Sequence, residues 1–153
     1  MSDVDIQLCA LKDVIVAPNF DDLCAEYRAE FGADLWGPHK VDLDRYTKDC
    51  AILSVRCDGT LVGWGVVRPV RGMAHFKDTV TAAVDAAFIE RRYRKGAAGL
   101  RLLRRMADVA RTQYGAGTLV ITAPYGSRLA RLLRAILRDN PVSEVFVMPT
   151  GMD

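Results

Sequence analysis

The chain is poor in the residues that build metal and thiol chemistry. It has two histidines, His39 and His75, and four cysteines, Cys9, Cys24, Cys50 and Cys57, none in Cys-x-x-Cys spacing. A zinc site therefore has no supporting ligand pattern. The cysteines stand mostly among apolar neighbours, which reads as buried reduced thiols, and neither histidine shows a local link to one of them. No run approaches the roughly 18 uninterrupted apolar residues of a membrane span. The start, Met1-Ser2-Asp3-Val4-Asp5, lacks the basic residues and apolar core of a signal peptide. The expectation is a cytoplasmic protein with no membrane partner. No repeat, low-complexity tract or Pro/Ser-rich linker breaks the 153 residues, so one domain over 1–153 is expected.

What is present is ordinary in bulk and uneven in placement. Half of the residues are hydrophobic and 26% charged, the profile of a globular protein with a buried core. The net charge of +2 hides an asymmetry. From residue 91 onward there are 12 Lys/Arg against 4 Asp/Glu; before it there are 9 against 15. A basic half suits a phosphate-bearing partner, although most of its arginines read as solvated surface.

Hydrophobic spacing gives the elements. Val4 to Leu8 alternates as a strand. Asn19 or Asp21 can cap a helix running to about Phe31, with Leu23, Cys24, Tyr27 and Phe31 at helical spacing and Gly32 as its stop. A polar, punctuated segment follows, with a short helix expected at Asp42 to Lys48. Asp58-Gly59 lies between two strand-like runs, Ala51 to Cys57 and Leu61 to Val67, and predicts a two-residue hairpin turn. Gly63 and Gly65 flank Trp64, so one face of that strand is nearly bare and backbone can approach it. Thr79 to Ile89 reads as a central strand. Ala97 to Tyr114 reads as a helix with Leu100, Leu103, Ala107 and Ala110 on one face, widened by Leu102, Met106 and Val109. Thr118 to Thr122 is a strand, Ser127 to Leu137 a helix, and Val142 to Met148 a last strand. The order implies a mixed α/β fold, parallel where a helix crosses over and antiparallel at the hairpin.

The segment with chemistry is Phe88-Ile89-Glu90-Arg91-Arg92-Tyr93-Arg94-Lys95-Gly96-Ala97-Ala98-Gly99-Leu100. A strand runs into a turn of small residues that opens directly into a helix. Exposed backbone N–H groups and the positive end of the helix dipole then face the same place, a cradle for phosphate or pyrophosphate, with Arg94 and Lys95 as mobile charge at its lip. A Walker loop would need Gly-Lys-Ser/Thr at the helix start, and a dinucleotide fingerprint would need Gly-x-Gly-x-x-Gly; neither is present.

These residues resemble the acetyl-CoA-binding motif of the GNAT superfamily of N-acetyltransferases, Arg/Gln-x-x-Gly-x-Gly/Ala after a strand ending in an aliphatic residue. Arg94 takes the first position, Ala97 stands where the first glycine is usual, and Gly99 takes the last. The element order resembles that family over most of the chain, and residues 75–104 look like the acetyltransferase-like proteins of phages and prophages. The resemblance implies a mixed, mostly antiparallel sheet flanked by helices, in a bacterial or phage-infected cell. It implies acetyl-CoA or another acyl-CoA as the group donor, held by Phe88, Ile89, Arg94, Lys95, Gly96, Ala97, Ala98 and Gly99. The acceptor would be an amine of a small molecule or protein, and a homodimer is among the assemblies common in the family.

Direct transfer to an amine needs a base, a polarised thioester carbonyl and a proton for the thiolate. By resemblance the backbone at Phe88 and Ile89 polarises the carbonyl. Asp85, four residues before Ile89, falls on the same face of the strand and is the first candidate base, desolvated by its apolar neighbours; it can equally be a satisfied buried carboxylate or bind the acceptor's ammonium. Glu90, on the opposite face, is second, and His75 is more distant. The family's acid is often a tyrosine in the last helix, but that position holds Arg134, which leaves Tyr125, Ser127 or solvent. Arg128, Arg131, Arg134 and Arg138 recur at helical spacing and read as a solvated face. Two alternatives stay open: an inactive interaction protein on this fold, and a nucleic-acid-binding domain using the basic half, the weaker for lack of a stacking platform.

Overall fold

The Asp58-Gly59 turn has the expected geometry, with positive φ at both residues, 48° and 79°. It joins strands Ala51–Cys57 (β2) and Thr60–Val70 (β3) in antiparallel register, Ala51 opposite Val67 and Cys57 opposite Thr60. The computed structural model describes residues 3–31, 49–70, 80–123 and 127–137, and the chain divides into two compact units, Met1–Ile121 and Thr122–Asp153. The expected short helix at Asp42 to Lys48 and last strand at Val142 to Met148 lie outside the described residues, as do His39, His75, Tyr125 and Arg138.

In the first unit a five-stranded sheet has the order β1-β2-β3-β4-β5, with β1 Asp5–Cys9, β4 Thr81–Ile89 and β5 Thr118–Val120. The first three pairings are antiparallel, and β4 with β5 is parallel. The crossover between those two is the helix Ala98–Tyr114 (α3), so the sheet is mixed as the sequence pattern indicates and mostly antiparallel as the resemblance implies. Helices Leu11–Ile15 (α1) and Phe20–Phe31 (α2) precede β2. The five-residue α1 has no apolar periodicity long enough to announce it. Instead Asp13 accepts a hydrogen bond from the Ala10 N–H (3.0 Å), and Val14 is buried.

One face of the sheet packs against α1 and α2. Trp64, Phe88, Ile52, Val66 and Ala86 meet Val14 and Leu23 there, bordered by Phe20, Cys24 and Tyr27. Trp64 is the hub: its ring centroid lies 5.1 Å from Phe88, 5.6 Å from Phe20 and 5.8 Å from Tyr27. Each such pair contributes about 1 kcal/mol beyond the area it buries. The opposite face carries α3, whose buried stripe is Leu102, Leu103, Met106, Val109 and Ala110. Of the expected face of Leu100, Leu103, Ala107 and Ala110, Leu103 and Ala110 are buried while Leu100 is half-buried and Ala107 exposed, so the stripe is rotated toward the widening residues Leu102, Met106 and Val109. Gly115 (φ 65°) ends α3, with its N–H donating to the Arg111 carbonyl at 3.0 Å.

The bare strand face has two uses. A Cβ on Gly65 would stand 3.1–3.2 Å from Met106 and Leu102, so the missing side chain lets α3 settle on the sheet. A Cβ on Gly63 would stand 2.2 Å from the Phe88 carbonyl oxygen and 2.9 Å from the Ile89 Cα. Only glycine permits that approach of β3 to the end of β4. No disulfide joins any of the four cysteines, and burial pushes the thiols of Cys9 and Cys24 up, which keeps them protonated at neutral pH.

In the second unit the helix Arg128–Leu137 (α4) is described. Arg128, Arg131 and Arg134 are exposed while Leu129, Leu132 and Leu133 are half-buried, the amphipathic division that its spacing predicts.

Candidate functional site

The two neighbours of β4 accompany it over different lengths. β3 pairs with it from Thr81 through Ile89, and the pairing continues as the Glu90 N–H donates to the Val62 carbonyl (2.7 Å). β5 pairs only with Thr81 to Ala83. Among the described residues, no strand pairs with the second edge of β4 from Val84 to Ile89. Backbone groups alternate along a strand. Since the Glu90 N–H points to β3, the Phe88 N–H points there too, and those of Ala87 and Ile89 face the open edge. The Ile89 N–H thus faces the open edge, while the Phe88 N–H faces β3 and the Phe88 ring packs against Trp64.

The chain leaves β4 through a 3₁₀ turn, Arg91–Tyr93, and reaches the start of α3. Gly96 has φ 69°, a conformation that favours glycine. Ala97 has φ −95° and ψ 9°, so the alanine in place of the family's glycine meets no backbone strain. It offers no side-chain acceptor either, and the first turn of α3 contains no acidic residue. The first helical bond is from the Arg101 N–H to the Ala97 carbonyl (2.8 Å), which leaves the N–H groups of Ala98, Gly99 and Leu100 without helical partners. The helix start adjoins a concavity of about 190 Å³ lined by Asp3, Val4, Tyr93, Lys95, Gly96, Ala97, Ala98 and Arg101, with Ala98 alone of the three in its wall. Lys95 is exposed beside it. A larger hollow of about 270 Å³, lined by Asp5, Ile6, Arg101, Arg104, Arg105 and Asp108, includes none of Ala98, Gly99 and Leu100 and reads as open charged surface.

Asp3 and Arg101 belong to this concavity, and no motif position announces them. Arg101 donates to the Asp3 carboxylate and to the Val4 carbonyl (2.8 Å). An i+4 spacing from Ala97 is the single signal that could have pointed to Arg101.

The structure separates the two candidate carboxylates. The register of β3 against β4 shifts between Val66 and Val67, pairing them with Ala86 and Val84, so Asp85 is the extra residue of a β-bulge. A bulge interrupts the two-residue alternation, and the four-residue spacing no longer places Asp85 on the Ile89 face. Its Oδ1 instead accepts from the Nε of Arg68 at 2.5 Å, with the Asp85 side chain 16% exposed. It is thus an ion-paired group, where the sequence suggested a carboxylate among apolar neighbours. Glu90, just past the end of β4, pairs through Oε1 with Arg92 Nε at 2.5 Å, while its Oε2 is buried with no partner among the described residues.

Two further expectations change. Arg94 is not a mobile cation at the lip, because its guanidinium is bound to Glu30 and to the Ile89 carbonyl. Ser127 is a helix cap: its hydroxyl accepts from the Ala130 N–H at 3.1 Å, opening α4. Tyr125 and His75 lie outside the described residues. No described helix is long and apolar enough to cross a membrane.

A model of the acetyltransferase (GNAT) family matches residues 19–137. Among curated proteins, none matches the chain in sequence. Several solved structures share its fold. A ribosomal-protein-alanine N-acetyltransferase from Brucella melitensis biovar Abortus 2308 superposes with a TM-score of 0.71 at 23% identity, covering 97% of this chain and 100% of its own. A glucosamine-6-phosphate N-acetyltransferase from Arabidopsis thaliana gives 0.65 at 13% identity, with 99% of each chain covered. The aminoglycoside N-acetyltransferase AAC(6')-Iy in complex with CoA gives 0.66 at 13% identity, covering 99% of this chain and 97% of its own. At these identities the likeness is one of fold.

Proposed function

We propose that this chain, which belongs to the acetyltransferase (GNAT) family, is an acyl-CoA-dependent N-acyltransferase that uses acetyl-CoA and moves the acyl group directly to an amine. The observation that carries the reading is the open edge of β4 leading, through one tight turn, to an uncapped helix start with no acid in its first turn. Three N–H groups without helical partners, a helix dipole and Lys95 lie there, and together they favour an anion. The pyrophosphate of acetyl-CoA fits that need, with Gly96, Ala97, Ala98 and Gly99 supplying backbone and Lys95 and Arg101 supplying charge.

Acetyl-CoA supplies an acyl group activated as a thioester. The protein's part is to orient it, polarise its carbonyl and manage two protons. The Ile89 N–H, facing the open edge, is the polarising donor we assign. Of the carboxylates, Glu90 retains an oxygen without a partner and is the group we assign to take the amine's proton. Asp85, held by Arg68, stands second in that role, or orients the acceptor's ammonium. The thiolate's proton comes from Tyr125 or from solvent, since the Ser127 hydroxyl already accepts from a backbone N–H.

The acceptor class follows the neighbours in outline: a primary amine on a small molecule or on a protein, as aminoglycosides, glucosamine-6-phosphate and ribosomal-protein alanine are in the names of the similar structures. Acidic residues of the N-terminal half favour a cationic acceptor, although Glu26 and Glu30 are engaged within the protein. The cytosol of a bacterium or of a phage-infected cell is the setting we propose, on the likeness of residues 75–104 alone.

A second reading has its own observation. Arg134 stands at the position expected for the tyrosine and Ser127 caps a helix, an arrangement that also suits a non-catalytic interaction protein on this fold. Thioester turnover with a panel of amines separates the two.

The test of donor binding is the thermal midpoint with and without acetyl-CoA, for the wild type and for Gly99→Glu. At ~100 times the dissociation constant the ligand adds about 2.7 kcal/mol. Stabilisation of the wild type alone supports the reading; a folded wild type that does not respond would sink it.

A further inference from the structure

We propose that Arg94, the motif's arginine, is a positioning residue that fastens the phosphate-facing turn to α2 and does not itself bind phosphate. The proposal deepens the donor-binding reading above and rests on it only for its effect on ligand affinity.

The guanidinium is engaged on several sides. Its Nε donates to the Ile89 carbonyl, which caps the open end of β4. Nη1 donates to Glu30 Oε1 at 2.6 Å, and Nη2 donates to Glu30 Oε2, a forked pair on one carboxylate. Glu26 Oε1 lies 3.7 Å from Nη2. The guanidinium carbon stands 5.3 Å from the centroid of the Phe88 ring. The Arg94 side chain is 20% exposed. Reaching a phosphate would require breaking a forked ion pair and a backbone bond together.

The other end of the 3₁₀ turn is tied to the same helix. Glu26 Oε1 accepts from the Arg91 N–H at 2.8 Å. Glu26 and Glu30 are one helical turn apart on α2, so a single helix face grips both Arg91 and Arg94. Tyr27 of that helix sets its ring edge-on to Phe88, with centroids 5.6 Å apart, and gives the grip an apolar floor. The residues that follow Arg94 present the free amides of the cradle. Their placement therefore depends on α2, and Lys95 is left to meet the anion.

A single substitution separates the two roles by sign. If Arg94 were a phosphate ligand held in check by Glu30, Glu30→Gln would release it and tighten acetyl-CoA. As a clamp, Glu30→Gln loosens the turn: the Kd for acetyl-CoA by calorimetry rises about tenfold, equivalent to about 1.4 kcal/mol. In the ligand-free protein, amide hydrogen exchange then quickens over residues 94–100 while the strands keep their protection. Arg94→Ala should behave alike, Arg94→Lys should not rescue because an ammonium lacks the fork, and Arg94→Ala with Glu30→Gln should be no worse than the poorer single variant. An unchanged or lowered Kd in Glu30→Gln overturns the proposal. So does a raised Kd without faster exchange in the turn. A wild type that fails to bind acetyl-CoA sinks the donor reading alone, and the exchange pattern still decides the clamp.

Discussion

Helices α3 and α4 begin differently. At the start of α4, Ser127 accepts from the Ala130 N–H, the usual solution for the unpaired donors of a first turn. At the start of α3 the corresponding residue is Ala97, with no acceptor, no extended cap geometry and no acid following it. A 17-residue helix with an uncapped start keeps positive potential and three N–H groups without helical partners, after a turn in which Gly96 has positive φ and Arg94 is bound to Glu30. The contrast teaches how a helix start can differ: one is satisfied from within, and the other offers its donors to the anion proposed above.

The largest way to break the contrast is to move the strand that presents the α3 start. Gly63→Ala places a methyl 2.2 Å from the Phe88 carbonyl oxygen, and relief requires backbone movement at the end of β4. A loss of about 3 kcal/mol in denaturant unfolding is expected, with acetyl-CoA binding reduced even where the protein still folds. An unchanged midpoint would mean that β3 and β4 separate freely there.

Removing the other cap sharpens the contrast. Ser127→Ala should lower stability by about 1 kcal/mol and leave the acetyl-CoA Kd unchanged. A large loss of affinity would instead give Ser127 a part in the site. Giving α3 an acid is the converse. Ala97→Asp should stabilise the ligand-free protein by about 0.5 kcal/mol through the helix dipole, while weakening acetyl-CoA by like-charge repulsion. Ligand-free stability and affinity moving in the same direction would refute the anion site.

The smallest effect concerns the far end of α3. Tyr114 donates to the Asp49 carbonyl (2.9 Å) and lies 3.3 Å from that of Val67, and burial is the main cause that raises its pKa above the ordinary value of 10.0. The folded state thus favours the neutral phenol. Its contribution is complete below pH 10 and is lost as pH rises from there through the higher folded value. The raised thiols of Cys9 and Cys24 act with the same sign from about pH 9. Comparing wild type with Tyr114→Phe isolates the phenol: the thermal midpoint of the variant should fall less steeply above pH 10. Parallel curves would remove Tyr114 from the account.

Several elements were legible because a local rule dictated them. Asp58-Gly59 can turn only one way, Gly63 and Gly65 bare a strand face, and the segment from Lys95 to Gly99 opens a helix without a capping side chain. The α3 stripe was legible in kind and misplaced by a fraction of a turn, because leucines and alanines occupy most of the helix and only the sheet chooses among them. The roles of Asp85, Arg94 and Ser127 were not legible. Each depends on a partner remote in sequence or on a register irregularity: Arg68 across a bulge, Glu30 from another helix, and a backbone N–H in preference to a substrate.

The sequence by itself determined most of the described elements, the hairpin, the strand–turn–helix segment and the family to which they belong, since these follow from periodicity, turn chemistry and a contiguous motif; the short helix α1 was not among them. Tertiary structure alone decided which carboxylate keeps a free oxygen, which backbone amides face the open edge, and that the motif's arginine grips α2. Those outcomes turn on pairings between distant segments and on one extra residue in β4, and neither leaves a periodic trace in the chain.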